Sequence, residues 1–197
     1  PAVFAKMAAT AASLFPGRVR LNIVTGSNPA ENAMYGDDDA HDVRYARTRE
    51  FLQVVRRLWS EEEVDHAGTF YRTQGAVLAP KPSPPIPIYV GGLSDIALRR
   101  AAKHDGWIGD LITTDKALER VDKLRELRAE NGSGMAGFEI ITPLVDAFTP
   151  EHYQRAEAGG ITGIITMPWM FYTGPDSTLD QKVEGMARFR KDMCLDG

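Results

Sequence analysis

Residues 86–100, Ile-Pro-Ile-Tyr-Val-Gly-Gly-Leu-Ser-Asp-Ile-Ala-Leu-Arg-Arg, place a short apolar run, two glycines, a capping serine and a helical pattern in immediate succession. The run is too short for a helix and suits a buried strand. Gly91-Gly92 allows a tight turn, and Ser94 can accept the first free amides of the helix that follows. Together they make half of a βα unit whose turn amides point where an anion can sit. Such a unit is stable only inside a sheet flanked by helices, so the remaining sequence has to supply more of the same.

It does so in regular alternation. Residues 3–14 are Ala-rich and end at Pro16-Gly17, predicting a buried helix. Residues 18–25 read as a strand, closed by Gly26-Ser27-Asn28-Pro29, and 27–42 read as loop. Over 43–60, Phe51, Leu52, Val55, Leu58 and Trp59 recur at helical spacing among arginines. Residues 61–79 form an excursion with a hairpin expected to turn at Ala67-Gly68, and a proline cluster then leads, extended, into the central strand. Beyond it come strand 106–110, a helix capped by Thr114 or Asp115 and running to Asn131-Gly132, and strand 138–148 with Pro143 as an expected bulge. Helix 150–158 stops at Gly159-Gly160, strand 161–167 follows, and helix 179–193 closes the pattern.

Alternating strands and helices predict an α/β fold with a parallel sheet, and the lack of a phosphate fingerprint after the first strand argues against a dinucleotide fold. Five strands are expected, whereas a (β/α)8 TIM barrel has eight in about 250 residues. The chain opens at Pro1 inside a helix without a cap. Both features lead us to expect one barrel domain over 1–197, covering about the last five βα units with the first three strands missing.

Composition narrows the function classes. At 197 residues, 43% of them apolar, the chain is long enough for one continuous core. Its net charge of −4, with basic residues scattered along helices, offers no footprint for nucleic acid or an anionic membrane. No apolar run nears the roughly 20 residues of a membrane span. The single cysteine, Cys194, rules out an internal disulfide framework, is expected to be inert and points to the cytoplasm. The run Asp37-Asp38-Asp39 near His41 matches no metal-ligand spacing and reads as a solvated loop.

Four segments in register carry a family resemblance. Phe15-Pro16-Gly17-Arg18-Val19 leading into Leu21-Asn22-Ile23-Val24-Thr25-Gly26 is the first, and His41-Asp42-Val43-Arg44-Tyr45 opening a helix that ends Leu58-Trp59 is the second. Pro87-Ile88-Tyr89-Val90-Gly91-Gly92-Leu93-Ser94 and Asp105-Gly106-Trp107 complete the set. Together they resemble the bacterial luciferase-like monooxygenase family over nearly the whole chain. The resemblance implies a TIM barrel using reduced FMN with oxygen, or the deazaflavin F420 for hydride transfer, on a small organic substrate. It also implies a homodimer and a separate flavin or F420 reductase as partner. Ile141 and Pro143 stand where the alkanesulfonate-cleaving branch carries Arg and His, so the resemblance does not extend to sulfonate chemistry.

The same resemblance assigns roles. Asn22 and Thr25, at the end of the first strand, are candidates for the edge of the cofactor ring, for which an amide and a hydroxyl are suitable partners; the bland alternative is a buried Asn serving a neighbouring backbone group. Tyr45 is implied as a cofactor-phosphate ligand and His41, one helical turn away, as the catalytic residue near the ring; otherwise they are a core Tyr and a solvated His. Gly91, Gly92 and Ser94 are the phosphate turn, or simply a capped turn. Trp107 and Trp169 are candidates for the substrate wall, or for packing. Two other functions fit the sequence: a flavin-binding barrel without turnover, and an unrelated phosphate-sugar barrel enzyme.

Overall fold

The computed structural model describes residues 1–26, 28–36 and 39–193, so Ser27, Asp37, Asp38 and Cys194 lie outside the described residues. The chain divides into two compact units, residues 1–88 and 89–197.

In the first unit, helix α1 (Ala2–Leu14) buries Ala5, Ala8, Ala9 and Ala12. These small residues let it approach helix α3 (His41–Ser60), where Phe4 meets Phe51 at 5.2 Å between ring centroids. The Trp59 indole N–H donates to the Ala5 carbonyl at 3.0 Å, and Val54, Val55 and Leu58 fill the space between the helices. Strand β1 (Leu21–Ile23) is shorter than the 18–25 expected. Helix α2 (Pro29–Met34) corrects the expectation of loop over 27–42. Asn28 accepts the Ala30 amide at 3.1 Å and Pro29 occupies the first turn, where its missing N–H costs nothing. The Asn-Pro pair that reads as turn punctuation is therefore a helix start.

Strands β2 (Val64–Ala67) and β3 (Arg72–Ala76) form the expected antiparallel hairpin. The proline-rich segment beyond it is pinned by Lys81, whose ammonium donates to the Leu58 carbonyl at the end of α3 at 2.8 Å. The Leu21 amide donates to the Pro87 carbonyl at 3.0 Å, one residue before strand β4 (Ile88–Gly91), whose last three residues open the second unit.

There, β4 is followed by β5 (Gly106–Ile108), β6 (Glu139–Thr142) and β7 (Gly163–Ile164), each parallel to the one before it. Helices α4 (Asp95–Ala101), α5 (Thr114–Glu130) and α6 (Pro150–Ala158) alternate with them, and α7 (Leu179–Asp192) follows β7. The α/β class with a parallel sheet is thus the one observed. Trp107, Leu98, Val121, Leu124, Phe138, Ile140 and Ala156 make the core of this unit.

Two strand expectations are corrected. Strand β6 ends at Thr142, because Pro143 has no N–H to continue the ladder, and among the described residues a single bridge, Ile112 to Leu144, carries the pairing further. Strand β7 keeps two residues of the expected 161–167: the Thr162 hydroxyl takes the Ile140 amide at 2.7 Å, replacing a backbone partner, and Pro168 then turns the chain into a 3-10 turn, Pro168–Phe171.

Candidate functional site

In the second unit the site elements begin at the end of β4. Gly92 sits at φ +115°, a region that L side chains rarely enter, and a Cβ there would lie 2.9 Å from that of Ala97. Glycine is therefore required both by the turn and by the close start of α4. The Ser94 hydroxyl accepts the Ala97 amide at 3.3 Å, which makes it the cap that its residue type predicts. Asp95, whose charge would oppose an anion, faces Arg120 of α5 at 3.8 Å.

Trp107, expected on the substrate wall, lies inside the core with none of its surface exposed. Its indole N–H donates to the Gly92 carbonyl at 2.8 Å. A core residue thereby fixes the glycine turn. Trp169 sits in the 3-10 turn after β7, partly buried, with the Lys182 ammonium 5.6 Å from the centre of its ring.

In the first unit, Asn22, Ile23 and Val24 line a hollow of about 250 Å³ with Arg47, Thr48 and Phe51 of α3 and Tyr71 of the hairpin. Asn22 is exposed and Thr25 is partly buried just past β1. His41 and Tyr45 meet edge to face, ring centroids 4.2 Å apart, with His41 exposed and Tyr45 partly buried. Arg47 pairs with the Asp39 carboxylate at 2.6 Å, and Arg44 donates to the Asp39 carbonyl at the same distance. Two buried nitrogens close by in sequence, Asn32 Nδ2 and Arg44 Nε, have no hydrogen-bond partner among the described residues. Buried polar atoms of this kind are uncommon and mark a place that a ligand or water can complete.

Sequence reasoning singled out Asn22 of this hollow but missed Arg47, Thr48, Phe51 and Tyr71 as lining it. Phe51 follows Arg47 and Thr48 at the i+4 and i+3 spacing of one helical face, and that spacing was the available signal. Glu50 was missed as well. One of its carboxylate oxygens lies 3.0 Å from His66 Nε2 and accepts the Tyr71 amide at 2.8 Å, while the other accepts the Thr69 and Phe70 amides at 3.1 Å. Burial works to raise its pKa, but the bonds from His66, Tyr71, Phe70 and Thr69 outweigh it and hold the carboxyl below its ordinary value. The result is a clamp that fixes the hairpin on α3 and sets Tyr71 into the hollow. The Tyr71 phenol is itself shifted upward, mainly by burial, against the opposing Arg47 charge and with a small addition from Glu50.

Among the described residues no group of three or more His, Cys, Asp or Glu is placed to hold a metal, and no helix is long and apolar enough to cross a membrane.

A Gly-Gly turn and helix cap at the carboxyl end of a parallel strand belong to the α/β proteins that bind ligands beyond the ends of their strands. The family model described as luciferase-like monooxygenase matches residues 1–177, and the chain belongs to that family. An uncharacterized protein of Mycobacterium tuberculosis (strain ATCC 25618 / H37Rv) is 35% identical over 198 residues, an alignment covering 98% of this chain and 67% of that protein. An F420-dependent glucose-6-phosphate dehydrogenase of Segniliparus rotundus is 40% identical over 110 residues, covering 55% of this chain and 33% of the enzyme. The chain thus spans about two thirds of the first and one third of the second. Among solved structures, a monooxygenase from Streptomyces bottropensis superposes with a TM-score of 0.73 at 16% identity, over 99% of this chain and 74% of its own, a likeness of fold.

Proposed function

We propose that this chain contributes the cofactor-binding strands of an oxidoreductase that uses FMN or F420 on a small organic substrate. The observation that carries the reading is the Gly92 turn, which is left-handed, closed to any Cβ and held from beneath by Trp107. The Gly92 amide donates to the Ile108 carbonyl at 3.4 Å, so the amides that a turn so constrained can offer to the phosphate of a cofactor tail are those that follow it. In the second unit Gly91, Gly92 and Ser94 are the residues proposed for that phosphate; in the first, Tyr45 keeps the phosphate role that the family resemblance implies. Within the first unit, Asn22 and Thr25 are proposed for the ring edge, and His41, whose ring meets that of Tyr45 edge to face, for holding or moving a proton.

The residues present fit such a group: amide, hydroxyl and phenol side chains stand at strand and helix ends. The cofactor supplies the hydride or oxygen chemistry when bound, and the protein binds, orients and keeps water out. The F420 reading rests on the name of the Segniliparus relative and the monooxygenase reading on the family description. A separate reductase and a homodimer belong to the same proposal.

The test is a fluorescence titration of the purified protein with FMN and with F420. Saturable binding of one of them, weakened by Gly92→Val and by Asn22→Ala, is the expected result. If neither cofactor binds at micromolar concentrations, the proposal fails.

A further inference from the structure

The loops leaving the carboxyl ends of β5, β6 and β7 share an acidic and apolar composition. Residues 109–113, 143–149 and 165–178 contain no Lys, Arg or His; their charged residues are Asp110, Asp146 and Asp176. The same loops expose Leu111, Val145, Phe148, Ile165, Met167 and Met170, with Leu111 68% and Phe148 59% accessible. Exposed apolar side chains are ordinary when scattered, but concentration at one end of a sheet is not.

These loops are tied into one surface. The Val145 amide donates to the Ile112 carbonyl at 3.0 Å, and the Asp146 carboxylate accepts both the amide and the hydroxyl of Thr114 at 2.8 Å. Phe148 stacks edge to face on Phe171 at 5.8 Å, which joins the loop after β6 to the segment after β7. Asp146 is thereby committed to holding two loops together. The nearest cations along the chain stand within the helices, Lys116 in α5 and Lys182 beside Trp169, while His152 turns its Nδ1 to accept the Phe148 amide at 3.0 Å.

From this face we infer the substrate class: an uncharged, largely apolar small molecule, not a phosphorylated sugar of the kind named for the Segniliparus relative. The inference rests on the oxidoreductase reading for its location, since chemistry in parallel β/α folds occurs beyond the carboxyl ends of the strands. A phosphate dianion brought against these loops meets carboxylates and aliphatic side chains, with no cation in the loops to replace its hydration. An alkyl or aryl group meets Leu111, Val145, Phe148, Ile165 and Met167, and its burial is favourable at about 25 cal/mol per Å².

The experiment follows tryptophan fluorescence of the full protein, with FMN or F420 binding measured separately. The probes are 1-octanol and glucose 6-phosphate. Saturable binding of octanol is expected, with no saturable response to glucose 6-phosphate. Leu111→Lys and Phe148→Asp, both at exposed positions, are each expected to weaken octanol by at least about tenfold, equivalent to roughly 1.4 kcal/mol. Saturable binding of glucose 6-phosphate overturns the inference, and so does octanol binding that neither variant changes, or no octanol binding at all. Octanol binding without cofactor binding leaves the inference standing and sinks the oxidoreductase reading.

Discussion

Trp107→Phe tests how the core controls the Gly92 turn. The parent side chain is fully buried and makes one polar contact, indole to Gly92 carbonyl. Its ring edge is closely held: a Cβ on Gly109 would lie 2.7 Å from Trp107 Cη2, so neighbouring backbone is already close on that side. Truncation to Ala costs about 3–5 kcal/mol, of which Phe avoids the greater part by keeping a six-membered ring. The Phe variant loses the hydrogen bond, about 1 kcal/mol, and leaves a partial void worth about 1–2 kcal/mol. At roughly 2–4 °C per kcal/mol for a chain of this size, Tm falls by about 5–10 °C for Trp107→Phe and further for Trp107→Ala. Cofactor affinity falls alongside, because a turn without its anchor no longer presents fixed amides. Differential scanning calorimetry and a cofactor titration on the same preparations measure both. A Trp107→Phe protein with unchanged Tm and unchanged affinity would refute the reasoning, and one that loses stability alone would refute its functional half.

Further outcomes follow from other side chains. Glu50 has a folded-state pKa below its unfolded value, so its clamp contributes fully above about pH 4.3 and is lost as pH falls through the lowered native value; hydrogen exchange of the Thr69, Phe70 and Tyr71 amides should rise at acid pH, and in Glu50→Gln that dependence should be absent. Asp146 follows the same sign: burial opposes its ionisation, the Thr114 hydroxyl and amide outweigh it, and the acid limb of thermal stability should flatten in Asp146→Asn. Asn28→Ala removes the cap of α2 and should cost about 1 kcal/mol, read as a Tm shift of a few degrees. Ser94→Gly, which keeps most of a cap's helix-starting preference, should weaken cofactor binding more than stability, whereas an equal loss in both would make Ser94 a cap and nothing more.

Periodicity and punctuation in the sequence determined the element types, because both are local. The apolar stripes of α3 and α5, the Pro-Gly and Gly-Gly stops, and the Ser94 cap act within a few residues of themselves, and the alternation of strand and helix leaves a parallel sheet as the way to bury every face. What the sequence did not disclose depends on partners distant along the chain. The Thr162 hydroxyl shortens β7 by taking an amide 22 residues away, and Trp107 turns from a candidate for the substrate wall into the anchor of Gly92, 15 residues back. Glu50 becomes a clamp because a hairpin some 20 residues on folds its amides around the carboxylate. A hydrogen-bonding side chain has a type that sequence specifies, but its partner is fixed when packing brings two segments within 3 Å, and at this candidate site the partners decide what each residue does.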